Sequence, residues 1–268
     1  LKYKDGSKVK IQEKSSARVG SLNIKGSDNV ALISGNLTGK FSKLKKNRKV
    51  YTPTIVCSIR GTKFRVYVSQ DGRSRVDLDR GKLDTSNAWG KRSMNSGDKI
   101  QTDIDKEPND AHGSGNGWME KNNKDFEKNP WGASKKYKRY LKKYKKRTSE
   151  RKDEMSNLKR RTSGSDKNAW NEKGKKIEKT KEKTEDDMMM NETSNNKING
   201  IINKFRNRKG RIFREFMQIK RESNHVLEVQ RRAYADIMKI KQDYKKERNK
   251  IFGDFNQFKQ NLFKNLNK

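Results

Sequence analysis

The chain has 268 residues, of which 29% are hydrophobic and 38% charged, too little apolar content for one core running its full length. Lysine and arginine number 68 against 33 acidic residues, a formal net charge of +35, so the chain repels itself and attracts polyanions: nucleic acid, anionic lipid or an acidic wall polymer. A single cysteine, Cys57, excludes an intramolecular disulfide framework, and no run approaches the ~18 apolar residues that a membrane-spanning helix needs.

Leu1 stands where an initiator methionine would, so the sequence reads as a processed or partial chain, with any signal peptide or membrane anchor lying upstream. From residue 1 to about 105, short apolar pairs alternate with glycine and polar turns: Val9/Ile11, Ala17/Val19, Leu22/Ile24, Val30/Leu32, Ile55/Cys57/Ile59, Phe64/Val66/Val68 and Val76/Leu78. Period two between regularly spaced turns predicts a small all-β domain: a roll, a sandwich or a small solenoid. The inward positions are odd through Ile59 and even from Phe64, and Gly61 sits where the parity changes, as a bulge or sharp corner requires. Thr52-Pro53 removes a backbone donor and marks a strand start or an edge.

Residues 106–197 turn to Asn, Gly, Lys, Ser and Asp, a composition that predicts a flexible, low-complexity basic linker. Its GSGNG run resembles a phosphate-cradling loop only superficially, being expected to follow no strand and open no helix. One island, 134–161, lacks Gly and Pro until its end and places Tyr137, Tyr140, Leu141 and Tyr144 on one helical face among lysines. Lys135, Lys136, Tyr137, Arg139, Tyr140, Lys143 and Tyr144 are the expected contacts with an anionic lipid or cell-wall surface. Stacking of the same tyrosines on nucleic-acid bases, or a merely solvated helix, are the alternatives.

From residue 198 to 268, Ile212, Phe216, Ile219, Val226, Ala233, Ile237, Ile240 and Tyr244 fall on alternating steps of four and three, with a few polar residues filling the missing positions, a coiled-coil-like seam. Ile251, Phe255, Phe258 and Leu262 resume it after a longer step that locally unwinds a supercoil. The pattern predicts a long α-helix, or a helical hairpin broken near Gly210 or at 223–225, pairing with a second copy or another protein.

Catalytic chemistry finds no constellation. His112 lies in a Gly-rich stretch and His225 on the long helix, and no HExxH, CxxC or P-loop pattern occurs. Asp77, Asp79 and Asp84 read as a solvated strand face rather than a calcium site, and Cys57 as a buried structural thiol. No catalytic, cofactor or metal site is expected.

One stretch carries a family signature. Thr52-Pro53-Thr54, then Arg60-Gly61-Thr62-Lys63-Phe64, alternating Val66 and Val68, the Asp71-Gly72 turn and a strand from Val76 to Gly81 resemble the core of FecR-type periplasmic domains. Thr52, Pro53, Thr54, Arg60, Gly61, Thr62 and Phe64 are the positions matched. The resemblance implies a compact β domain outside the cytoplasmic membrane, found in proteins that relay siderophore-receptor occupancy to a sigma factor and in other envelope proteins. The helical remainder differs from what such a relay protein carries after this domain. The expectation is therefore a non-catalytic scaffold or adaptor of the bacterial periplasm or envelope, docking a partner through the β domain. A cell-surface signal transducer is the second reading and a basic nucleic-acid-binding protein the third.

Overall fold

The computed structural model describes residues 1–20, 29–42, 48–59, 61–160, 166–208 and 210–266, with side chains as far as residue 253 except at 208. Leu22, Ile24 and Arg60 lie outside the described residues, as do the side chains of Phe255, Phe258 and Leu262.

The first part forms a curled mixed sheet of β1 (Lys8–Ile11), β2 (Ser16–Val19), β3 (Val30–Lys40), β4 (Arg48–Tyr51), β5 (Val56–Ile59), β6 (Lys63–Val68), β7 (Ser74–Arg80), β8 (Lys82–Ser86), β9 (Lys91–Asn95), β10 (Lys99–Thr102) and β11 (Asn109–Asp110). The spatial order is β11-β10-β7-β6-β3-β4-β5-β8-β9, with β1 and β2 also paired to β3. β3 makes the curl possible. Its first residues pair with β2 and, in parallel, with β4; its later ones pair with β1 and β6. Gly35, at φ 85°, stands at the changeover, where a Cβ would come within 2.6 Å of the Ser15 Cα.

Gly61 is a corner rather than a bulge. At φ 72° it lies in the connection from β5, which pairs with β4 and β8, to β6, which pairs with β3 and β7. The side-chain parity switches because the chain leaves one half of the curl for the other. Inside the curl, Val30, Leu32, Leu37, Val50, Ile55, Cys57, Ile59, Phe64, Val66, Val68, Val76 and Leu78 share one core with Leu83, Met94 and Ile100.

Helices occupy much of the stretch expected to be a flexible linker. α1 spans Gly115–Lys128, α2 Pro130–Arg160, α3 Lys167–Phe205 and α4 Arg211–Leu266, with a short 3-10 turn at Arg206–Arg208. The linker expectation counted apolar residues in bulk, whereas burial here follows one face of α1, α2 and α4 and, in α3, takes in every residue from Met189 to Asn195, polar ones included. The GSGNG run likewise does what was not expected: it follows β11 and opens α1, with Ser114 Oγ accepting from Gly117 N at 3.1 Å as an N-cap. The break near Gly210 is present, but α3 starts well before residue 198, and α4 passes through 223–225 unbroken.

Two compact units result. The first combines Leu1–Lys145 with Asp186–Leu227, the second Lys146–Glu185 with Glu228–Lys268. In the first, a second core lies between the sheet's outer face (Ala31, Tyr51, Val56, Ala88) and the helices, through Tyr137, Tyr140, Tyr144, Met190, Ile198, Phe216 and Ile219. In the second, Met155, Leu158, Ile177 and Ile237 pack together with Ile240 and Tyr244. The absent side chain of Gly174 leaves room there for the Tyr244 ring, whose hydroxyl donates to Trp170 O at 2.8 Å. No helix among the described residues is long and apolar enough to cross a membrane.

Candidate functional site

The Thr52-Pro53-Thr54 turn is buried. Thr52 Oγ1 donates to Ile55 O at 3.1 Å and accepts from Thr54 N and Ile55 N at 3.2 and 3.0 Å, which closes the turn just before β5. Ser74 Oγ, at the first residue of β7, donates to Thr52 Oγ1 at 2.8 Å, and Thr54 Oγ1 donates to Ser74 Oγ at 2.6 Å. Asn87 Nδ2 reaches Thr54 O at 3.3 Å and Lys106 O at 2.7 Å. Helix α3 completes the hub: Ser194 Oγ contacts Pro53 O at 2.7 Å and the Tyr140 hydroxyl of α2 at 3.1 Å. Thr62 and Phe64 are buried as well, Thr62 supplying the carbonyl that accepts from Phe41 N at 2.8 Å.

Beside this hub, the turn between β6 and β7 is held by all of the first three helices. Tyr137 OH donates to Asp71 O at 2.8 Å, Asn123 Oδ1 accepts from Gln70 N at 2.7 Å, and Lys204 Nζ of α3 donates to Gln70 Oε1. Gly72, at φ 100°, has no room for a Cβ, which would stand 2.3 Å from the Tyr137 hydroxyl and 3.4 Å from Lys197 Cγ. Burial pushes the Lys197 ammonium down to about 8, partly opposed by the charge of Asp71. The same desolvation drives the Tyr137 hydroxyl well above its ordinary value.

The expected anionic-surface set is divided by this arrangement. Tyr137, Tyr140 and Tyr144 are wholly buried, so they cannot stack on bases or lie among headgroups. Their helical face met Trp89 instead, whose ring centroid is 6.0 Å from Tyr140 and 6.2 Å from Tyr144. Lys135, Arg139 and Lys143 stand on the exposed face; Lys136 is half-buried and bonds Asp103 at 2.6 Å, and Arg139 pairs with Asp105.

The expected helix-pairing seam is spent on the chain itself. Phe216, Ile219 and Val226 are buried in the core of the first unit with Ile212 against it; Ile237, Ile240 and Tyr244 belong to the core of the second. Ile251 alone among the seam residues with described side chains is exposed, at 37%. In the first unit, α2 and α3 are among the surfaces against which these α4 residues pack.

Asp77 also departs from expectation. It is buried against Arg75, whose Nε donates to Asp77 Oδ1 at 2.6 Å while its Nη atoms donate to His112 O and Gly113 O at 2.7 Å each. Asp79 stays near the surface beside Arg65, and Asp84 is exposed. Cys57 is enclosed, and burial pushes its thiol up to about 12. His112 and His225 are both exposed. Among the described residues, no three His, Cys, Asp or Glu side chains converge to hold a metal ion.

Ser74, Asn87, Ser194 and Lys197 were missed in the sequence. One signal was available for Ser194: Met190, Ser194, Ile198, Ile201 and Phe205 recur at helical spacing, with serine in an otherwise apolar stripe.

Residues 1–84 match the model of the FecR protein family, so the N-terminal part of the chain is a FecR-like domain. The matched segment stops within β8, before the strands β9 to β11 that complete the sheet. Two crystal structures of a candidate anti-sigma factor from Parabacteroides distasonis, at 1.65 and 2.50 Å, align at 15% identity with a TM-score of 0.36. Each alignment covers 41% of this chain and 54% of the other, so the chain spans about half the length of those structures. No curated protein matches.

Proposed function

We propose that this chain is a non-catalytic docking protein of the bacterial cell envelope, in which the FecR-like sheet and the helices packed on it form a fused base. The observation that carries this reading is the contact of Ser194 with both Pro53 and Tyr140. It makes the family's own turn an attachment point for the helices, so the turn is occupied within the chain and partners meet other surfaces. Ile251 on α4 is the partner-facing position: an apolar side chain left wet on a helix whose other seam residues with described side chains are covered.

A photo-crosslinking residue placed at Ile251 in cells of the source organism is expected to capture a protein partner, and one placed at Lys82 on β8 is not. Fractionation is expected to put the adduct in the envelope. Equal capture at both positions, or an adduct recovered only with cytoplasmic proteins, defeats the proposal.

The family match over residues 1–84 favours a second reading, that of an envelope-associated signal transducer. Deleting the gene then alters transcripts of one sigma-factor regulon. A scaffold leaves those transcripts unchanged while its captured partner is mislocalised.

A further inference from the structure

The outward face of the β1/β3/β6/β7/β10 half of the sheet carries a polar row set by strand register. Lys10 stands opposite Thr38, Thr38 opposite Arg65, Arg65 opposite Asp77, and Asp77 opposite Lys99. The neighbouring row runs from Asn36 through Tyr67 and Arg75 to Gln101. At the β7/β10 end the hydrogen-bonding capacity is used up: Arg75 is spent on Asp77 and on two carbonyls, and Trp118 Nε1 donates to Gln101 Oε1 at 2.7 Å. At the β1/β3 end it is not. Lys10, Gln12, Asn36, Thr38 and Asn116, together with Arg65 and Tyr67, line a cleft of about 470 Å³. Those first five side chains have no hydrogen-bond or ion-pair partner among the described residues.

The cleft is held in shape from below. Gly115, the first residue of α1, rests directly on the Tyr67 ring, where a Cβ would come within 2.2 Å. The carbonyls just before it are the ones gripped by Arg75. The wall that carries Asn116 is therefore fixed before any ligand arrives, which lowers the ordering cost of binding.

We propose that this cleft binds a saccharide, with preference for one that bears a carboxylate. The side-chain amides of Gln12, Asn36 and Asn116 and the hydroxyl of Thr38 each offer donors and acceptors together, the mixture that sugar hydroxyls present in return. The volume falls within the ~300–1,000 Å³ of small-ligand sites. Polyphosphate and nucleic acid fit less well, because Glu13 also lines the cleft and Arg65 is already shared with Asp79. Lys10 is left as the cation for a single carboxylate. The site stands whether or not the envelope-docking reading holds.

The test is calorimetric and NMR titration of the full chain, at physiological salt, with two probes: tetragalacturonate, which is acidic, and tetra-N-acetylglucosamine, which is neutral. Both are expected to saturate, the acidic one more tightly. The double variant Asn36→Ala/Thr38→Ala weakens both by about tenfold through the loss of two hydrogen bonds. Lys10→Gln weakens only the acidic probe, by ~3-fold. Lys10 is exposed and Asn36 and Thr38 are half-buried, and an unchanged melting curve checks that the fold persists. Absence of saturable binding to either probe overturns the proposal. So does acidic binding that ignores the Asn36/Thr38 changes and vanishes with added salt, since that is the general attraction of a strongly cationic chain.

Discussion

The inside of the curled sheet and the seam between the sheet and the helices are both buried, but they are built from different interactions. Leu32, Leu37, Ile59, Phe64, Val66 and Val76 fill the first with apolar side chains, beside the sulfur atoms of Cys57 and Met94, a non-directional contribution of roughly 25 cal/mol per Å². The second mixes Tyr137, Tyr140 and Phe216 with Asn191, Thr193, Ser194 and Lys197, all buried. Each hydrogen bond there has a net value of only about 1 kcal/mol, but leaving one partner alone costs more than making the pair gains. The sheet interior should therefore tolerate changes that keep its volume, while the seam responds to the position of single polar atoms.

The largest effect expected lies at the seam's charged anchor. Arg75→Met leaves Asp77 buried and unpaired and frees two carbonyls before α1, so urea unfolding should show a loss of about 3–5 kcal/mol. A paired substitution then sets the two regions against each other: Leu37→Met, which keeps its volume, should cost less than about 1.5 kcal/mol, whereas Tyr137→Leu, which also forfeits the bond to Asp71 O, should cost about 2–4 kcal/mol. Equal losses in that pair would erase the distinction.

Lys197 reverses the sign. Its ammonium is depressed from an ordinary 10.5 to about 8 in the folded chain, so between those values the unfolded chain binds more protons and stability rises with pH. Lys197→Met is expected to raise stability at pH 7 by about 1–3 kcal/mol and to flatten that rise. Lys220, also depressed to about 8 by desolvation, leaves a residual slope. The smallest effect belongs to Ser194→Ala, a loss of about 1 kcal/mol read as a lower urea midpoint.

The interior of the sheet was legible because strand alternation sorts residues by face: Ile55, Cys57 and Ile59 point into the curl, while Val56 between them points to the helices. The helical cover was only partly legible. Tyr137, Tyr140, Leu141 and Tyr144 announced a face, but periodicity cannot say whether that face meets lipid, another chain or the chain's own sheet. The seam residues of α4 posed the same ambiguity, resolved here by α2 and α3. Arg75 and Asp77 were unreadable for a different reason: alternation assigns them to the outer face, and only α1, brought back by the chain's path, turns that face into an interior. The proposed saccharide cleft depends on register between strands distant in sequence, which local spacing does not reveal.

The first compact unit is discontinuous: residues 1–145 are completed by 186–227. A ribosome or export channel delivers the chain from its N-terminus, so the sheet can curl around its own core while Tyr51, Val56 and Ala88 still await α3 and α4. At about 5–20 residues per second, that outer face stays uncovered for on the order of ten seconds. A nascent chain of this kind is a client for a holding chaperone during that interval. A fragment ending at the last strand is frozen at the same stage, sticky on the side that the finished protein hides.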